Sequence, residues 1–174
     1  MSKIIKCELD TDSLQKAIDE LNAYKDDLIS KLEQFVSTLL QDGIVVANAR
    51  LSSTIGDSVE GTIGFGVNGG GDICSAYISL DGGDALFIEF GAGIAYNTGA
   101  QHPMASELGY GVGTYPSKHP PNRAMNPGYW VYRDPPGSDN KVWSIGTSAS
   151  MPIYYAAETM RNNAIKKAVE IFRS

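Results

Sequence analysis

Apolar residues recur at Leu14, Ile18, Leu21, Leu28, Leu32, Phe35 and Leu39, in steps of three, four or seven that hold them on one side of a helix. Asp12 is placed to cap that helix, with Gln15 as the reciprocal partner of a capping box, an arrangement contributing about 1 kcal/mol. Gly43 falls at the position after a helix end that favours glycine, so the pattern predicts a helix over 12–42. A helix of about 29 residues is roughly 43 Å long, more than one face of a small domain needs. Part of it is therefore expected to project or to pack on a neighbour; the alternative is a helix lying wholly across its own sheet.

From Ile44 to Phe90 the pattern changes to short β-rich runs separated by glycine turns. Four strands are expected, over Ile44–Ser53, Val59–Val67, Ile73–Leu80 and Ala85–Phe90. Their short connections predict an antiparallel meander over 44–90, because a parallel return needs a crossover of about a dozen residues. Gly61, Gly64 and Gly66 lie inside the second run, and each costs roughly 0.5–1 kcal/mol relative to alanine. That cost points to a bulge or to a close backbone approach.

The stretch 91–150 has little apolar periodicity and holds seven of the eight prolines. A loop of this length is functional or ordered by a partner. Within it, Tyr129–Arg133 and Lys141–Ile145 read as a hairpin around Pro135, Pro136 and Gly137, with Trp130 and Trp143 as cross-strand candidates. A closing helix over 151–172 begins with Pro152 in its first turn and carries an apolar stripe at Ile153, Ala157, Met160, Ala164, Ala168 and Phe172. Strands and helices in separate blocks predict an α+β fold: a four-stranded antiparallel β-meander packed by a long N-terminal helix and a C-terminal helix, with a long loop and hairpin insertion.

Composition adds constraints. A chain of 174 residues, 43% hydrophobic and 20% charged, fits one domain with an ordinary core. Its net charge of −6 opposes wrapped binding of a polyanion. Cys7 and Cys74 are too far apart in sequence for a metal or redox motif, which favours a reduced, cytosolic history over a disulfide. The N-terminal residues are too polar for a signal-peptide core or a membrane span, so a soluble protein is expected.

The candidate chemistry is sparse. His102 and His119 each precede a proline and have no short-spaced Cys or His partner, so no metal site is expected. No Gly-x-Ser-x-Gly element occurs, and the glycine run Gly109–Gly113 lacks the strand-before and helix-after setting of a phosphate cradle. The reading is of a protein that is not an enzyme and takes no cofactor. Glu89 stands out within Leu86-Phe87-Ile88-Glu89-Phe90. If buried, its carboxylate needs an arginine, with Arg50, Arg123 and Arg133 as candidates, or backbone donors; the alternative is a carboxylate pointing to water.

An ordered set of motifs runs through the chain: Leu86-Phe87-Ile88-Glu89-Phe90-Gly91-Ala92-Gly93, His102-Pro103, Gly128-Tyr129-Trp130-Val131-Tyr132 and Ala149-Ser150-Met151-Pro152-Ile153-Tyr154. The set resembles the tail-completion, or head-to-tail joining, family of long-tailed bacteriophages, over nearly the whole chain. It departs from that pattern at Ala92, where Thr is commoner, and at Ile153, where Phe is commoner. The resemblance implies a virion neck subunit without catalytic residues, assembled in the host cytoplasm. It implies a ring of copies, six in many cases, around the DNA channel between head-closure and tail-terminator proteins, with DNA passing through without sequence-specific binding. Glu89, Phe90, Gly91, His102, Trp130, Tyr132, Trp143 and Pro152 are the candidate assembly-interface residues under this reading. Alternatives are another neck part, such as a tail terminator or head-closure protein, and a small hydrolase or carbohydrate-binding module using Tyr96, Tyr110, Tyr115, Tyr129 and Trp130 as a platform.

Overall fold

The computed structural model describes residues 8, 10–53, 60–70, 73–91, 102–108, 130–133, 137–144 and 148–173. The expectations placed on Val59, Tyr96, Gly109–Gly113, Tyr110, Tyr115, His119, Arg123 and Tyr129 lie outside them. In chain order the elements are α1 (Thr11–Ser52), β1 (Thr62–Gly70), β2 (Ile73–Asp81), α2 (Ala85–Phe90), α3 (Ala105–Leu108), β3 (Trp130–Arg133), β4 (Lys141–Ser144) and α4 (Pro152–Arg173). The fold is α+β with long N-terminal and C-terminal helices, as the patterning predicts.

The four-stranded meander is corrected. Among the described residues the segment 44–90 holds one antiparallel pair, β1 with β2, and β3 with β4 forms a second two-stranded sheet. Ile44–Ser53 is helix: α1 runs for 42 residues, through Gly43. The β-branched run at Ile44, Val45 and Val46 suggests a strand locally, but Leu40, Gly43, Ala47 and Leu51 continue a helical stripe, and all four are buried. Gly43 is there for close packing rather than for termination. A Cβ on it would lie 2.6 Å from Ile78 Cδ1 and 2.9 Å from Met160 Sδ, where α1 crosses both β2 and α4. The cap also shifts: Asp10, not Asp12, accepts the Ser13 N–H at 2.9 Å, and Gln15 instead donates to Asp19.

Ala85–Phe90 is helix as well. The Ala85 N–H donates to the Gly82 carbonyl, Ile88 N–H to Asp84 and Gly91 N–H to Phe87, which closes the turns of α2. Asp84 also accepts the Glu60 N–H at 3.1 Å through its side chain, tying the start of α2 to the segment that leads into β1.

The β1–β2 register is continuous from Thr62↔Asp81 to Gly70↔Ile73, so the strand glycines mark no bulge. They mark close approach: a Cβ on Gly66 would meet the ring of its cross-strand partner Tyr77 at 2.6 Å, and one on Gly61 would meet Ile88 Cδ1 at the same distance. The second hairpin falls where the sequence places it, but its register pairs Trp130 with Ser144 and Val131 with Trp143. The two tryptophans are therefore not cross-strand partners.

α1 and α4 pack antiparallel. Arg50 stacks on the Tyr155 ring 3.7 Å from its centroid, Asn163 and Lys167 reach Asp42, and Phe35 meets Phe172. The core comprises Leu40, Ala47, Leu51, Ile88, Ala105, Met151, Ala156 and Ile171. Gly82, between β2 and α2, has φ +137°, and a Cβ there would lie 2.6 Å from the Glu60 carbonyl oxygen. Backbone on both sides cannot yield as a side-chain tip can, so Gly82→Ala is expected to destabilise by about 1–3 kcal/mol in urea denaturation. Unchanged stability would show that this turn relaxes freely.

Candidate functional site

The site is built where the end of α2 meets the start of α4. α4 opens with Pro152, which has no N–H and is pre-set for a first helical position. The residue before it, Met151, has φ +53° and an apolar side chain, so it cannot act as a side-chain cap. Two first-turn donors, the N–H groups of Ile153 and Tyr154, thus need an acceptor from elsewhere.

Glu89 supplies it. Its Oε2 accepts from Ile153 N–H at 3.0 Å and its Oε1 from Tyr154 N–H at 2.9 Å, across more than sixty residues of chain. Glu89 is 8% exposed, and its negative charge lies at the positive end of a 22-residue helix. Ser150 N–H donates to the Ile88 carbonyl at 2.9 Å, fixing the approach of α4 to α2.

His102 completes the constellation. It is 6% exposed, and its Nδ1 accepts the Met104 N–H at 3.0 Å. An accepting Nδ1 leaves Nε2 as the protonated nitrogen, so Nε2–H donates to Glu89 Oε1, also at 3.0 Å. The imidazole is packed by the Phe90 ring at 4.5 Å and by the edge of Tyr154 at 5.1 Å. The Tyr154 phenol is pushed above the usual tyrosine range by loss of hydration and by the Glu158 carboxylate to which it hydrogen-bonds.

The carboxylate is therefore held by backbone donors, one of the two solutions its burial demands, and by an imidazole rather than an arginine. Arg50 is engaged on Tyr155 instead. Both oxygens are engaged by these donors, Oε1 by Tyr154 N–H and His102 and Oε2 by Ile153 N–H. The geometry makes Glu89 a cross-link among three chain segments: 88–91, 102–104 and 150–154. Its short helical setting also replaces the expected strand alternation, since Ile88 and Glu89 are both buried.

Of the eight candidate residues, five meet here. Glu89 and Phe90 end α2, Gly91 closes it with φ 74°, His102 bonds to Glu89, and Pro152 opens α4 fully buried. Trp130, Tyr132 and Trp143 belong to the β3–β4 sheet. The sequence reading missed the amides of Ile153 and Tyr154. The signal for them is the missing cap: the residue directly before Pro152 is Met151, not a Ser, Thr, Asp or Asn, so the first-turn donors have no local side-chain acceptor at that position.

A groove of about 400 Å³ opens beside the site, with Glu89 and His102 in its floor and the partly exposed Leu86, Met104 and Leu108 on its walls. Among the described residues no three metal-ligating side chains converge, and no helix is long and apolar enough to cross a membrane. Cys74 is a half-buried free thiol. Comparison with protein-family models, with curated proteins and with solved structures finds no match to this chain.

Proposed function

We propose that this chain is a structural virion protein of a tailed bacteriophage, a tail-completion or head-to-tail joining subunit that forms a ring in the neck around the DNA channel. One observation carries the reading. Three of the four motifs on which the family resemblance rests are scattered over sixty-odd positions yet meet in a single buried cross-link, through Glu89, His102, Ile153 and Tyr154, while the fourth, around Trp130, lies in the β3–β4 sheet. Such a cross-link gives a physical reason for those residue types to occur together and in that order.

Under this reading the partners are further copies of the chain, six in the simplest ring, with head-closure and tail-terminator proteins above and below. A chain of net charge −6 suits a conduit through which DNA slides without sticking. Closed rings join one patch to a different patch on the next copy, so two dissimilar complementary surfaces are required. Electron microscopy of particles made without the gene tests the reading. Full heads and finished tails that fail to join are expected; normally joined particles, or a protein missing from purified virions, would overturn it.

A further inference from the structure

The N-terminal part of α1 is exposed. From Thr11 to Leu28 all residues but Ser13 and Ala17 are exposed, and burial begins at Ile29. The reason is the length mismatch between the two long helices. Because they run antiparallel, the end of α4 at Phe172 lies against Phe35, and the tip of the β1–β2 hairpin at Gly69 lies beside Glu33. Some 18 residues of helix, roughly 27 Å, therefore extend past everything else described in the subunit. This overhang is amphipathic: Leu14, Ile18, Leu21 and Leu28 form one stripe and are 38–55% exposed. It is also acidic, with Asp12, Asp19, Glu20, Asp26 and Asp27 against Lys16 and Lys25.

A complementary surface lies on the same subunit. Between α1, β2 and α4 runs an apolar groove of about 300 Å³, lined by Val36, Leu39, Tyr77, Met160 and Ala164, with Arg161 on its rim. The neighbouring outer face of α4 shows Ile165 at 80% exposure and carries Lys166 and Arg161, whose side chains are each 76% exposed. The ion pairs of these two are loose, at 3.6 Å to Glu158 and 3.9 Å to Glu170, and lie within the helix. α4 carries four cations against two carboxylates, the opposite balance to the overhang. The overhang points away from its own groove, so it cannot fill it within one chain.

We infer that the occupant of this groove is a second copy of the chain: the acidic, apolar overhang of α1 in one subunit docks on the basic-rimmed α1–β2–α4 groove of the next. The mode is an amphipathic helix laid in a groove, with Ile18 and Leu21 as anchors and the carboxylates facing Arg161. The two patches differ, so the contact is head-to-tail and propagates into a ring or filament rather than closing as a symmetric pair. This deepens the ring reading by naming the surfaces that join copies, and it rests on that reading only for the symmetry of the final assembly.

A mixing experiment on the full chain, followed by sedimentation velocity, tests it. One variant, Ile18→Asp with Leu21→Asp, disables the overhang. The other, Arg161→Glu with Ile165→Asp, disables the rim. All four positions are exposed, so both variants are expected to keep wild-type circular dichroism and melting. Each alone is expected to lose self-association by about 100-fold in Kd, while an equimolar mixture forms a one-to-one pair, since each variant retains the surface the other lacks. Three results would overturn the inference: a wild-type chain that stays monomeric up to about millimolar concentration; a rim variant that still self-associates while the overhang variant does not, which means the overhangs pair with each other; or two variants that both assemble as wild type. The last leaves a ring built through other surfaces, and particle microscopy judges that reading separately.

Discussion

Replacing Glu89 with Gln is expected to cost about 3 kcal/mol of folding stability and to lower the melting temperature by about 10 °C. The substitution is nearly isosteric, so packing does not account for the loss. Three donors converge on the two carboxylate oxygens: Ile153 N–H, Tyr154 N–H and His102 Nε2–H. An amide offers one acceptor oxygen and turns two hydrogens of its own toward the remaining donors. The favourable charge at the start of α4 is lost as well. His102→Phe keeps a ring against Phe90 and Tyr154 but removes the bonds to Glu89 and to the Met104 N–H, and is expected to cost about 1–3 kcal/mol. The two losses fall short of additive, because each variant already breaks their shared bond. Urea denaturation of both single variants and of the double variant measures this. A Gln variant within about 0.5 kcal/mol of wild type would mean that the carboxylate is not the cross-link described.

The second large effect concerns the other side of α2. Ile88 has no solvent exposure, and its Cδ1 occupies the space above Gly61. Ile88→Ala is expected to destabilise by about 3 kcal/mol through lost apolar burial and the cavity left behind. The contact also predicts a compensating pair. Gly61→Ala alone drives a methyl to within 2.6 Å of that Cδ1, an overpacking expected to cost about 1–2 kcal/mol. Ile88→Val removes the terminal methyl at a cost of about 1 kcal/mol. Together they are expected to cost about 1 kcal/mol less than their sum, because the second change removes the clash made by the first. Strict additivity in thermal melts would sink the claim that Gly61 is glycine to make room for Ile88.

These two sites show how much the sequence discloses. The heptad-like stripe of α1 and the start of α4 at Pro152 are legible because helical spacing persists over many turns. The β3–β4 hairpin is legible because Pro135, Pro136 and Gly137 separate two short β-rich runs. Ala85–Phe90 is not, because six apolar-rich residues are too few to separate a period of two from one of 3.6. Gly43 misleads for a different reason: glycine serves both to end helices and to let them cross closely, and only the partners Ile78 and Met160 decide between the two.

The candidate site was half visible. Glu89 reads as a carboxylate in need of donors, but the amides behind Met151-Pro152 that answer it were missed, because the two lie more than sixty residues apart. No local pattern connects such a pair. What connects them is conservation of hydrogen bonding: two unmet demands in one chain are candidates to meet each other. His102 belongs to the same account, since a buried imidazole with one nitrogen bound to backbone presents its other nitrogen as a donor.

A cross-link of this span also orders events during folding. The β1–β2 ladder and the turns of α1 close over short stretches, whereas the grip of Glu89 on Ile153 and Tyr154 must wait for an excursion of about 64 residues to return, at an entropic cost that grows with the logarithm of its length. The opening turn of α4 is thus set to lock only as α4 docks, together with its still longer-range packing on α1. Anything that keeps α4 from docking would leave that turn frayed while sparing the local β1–β2 ladder.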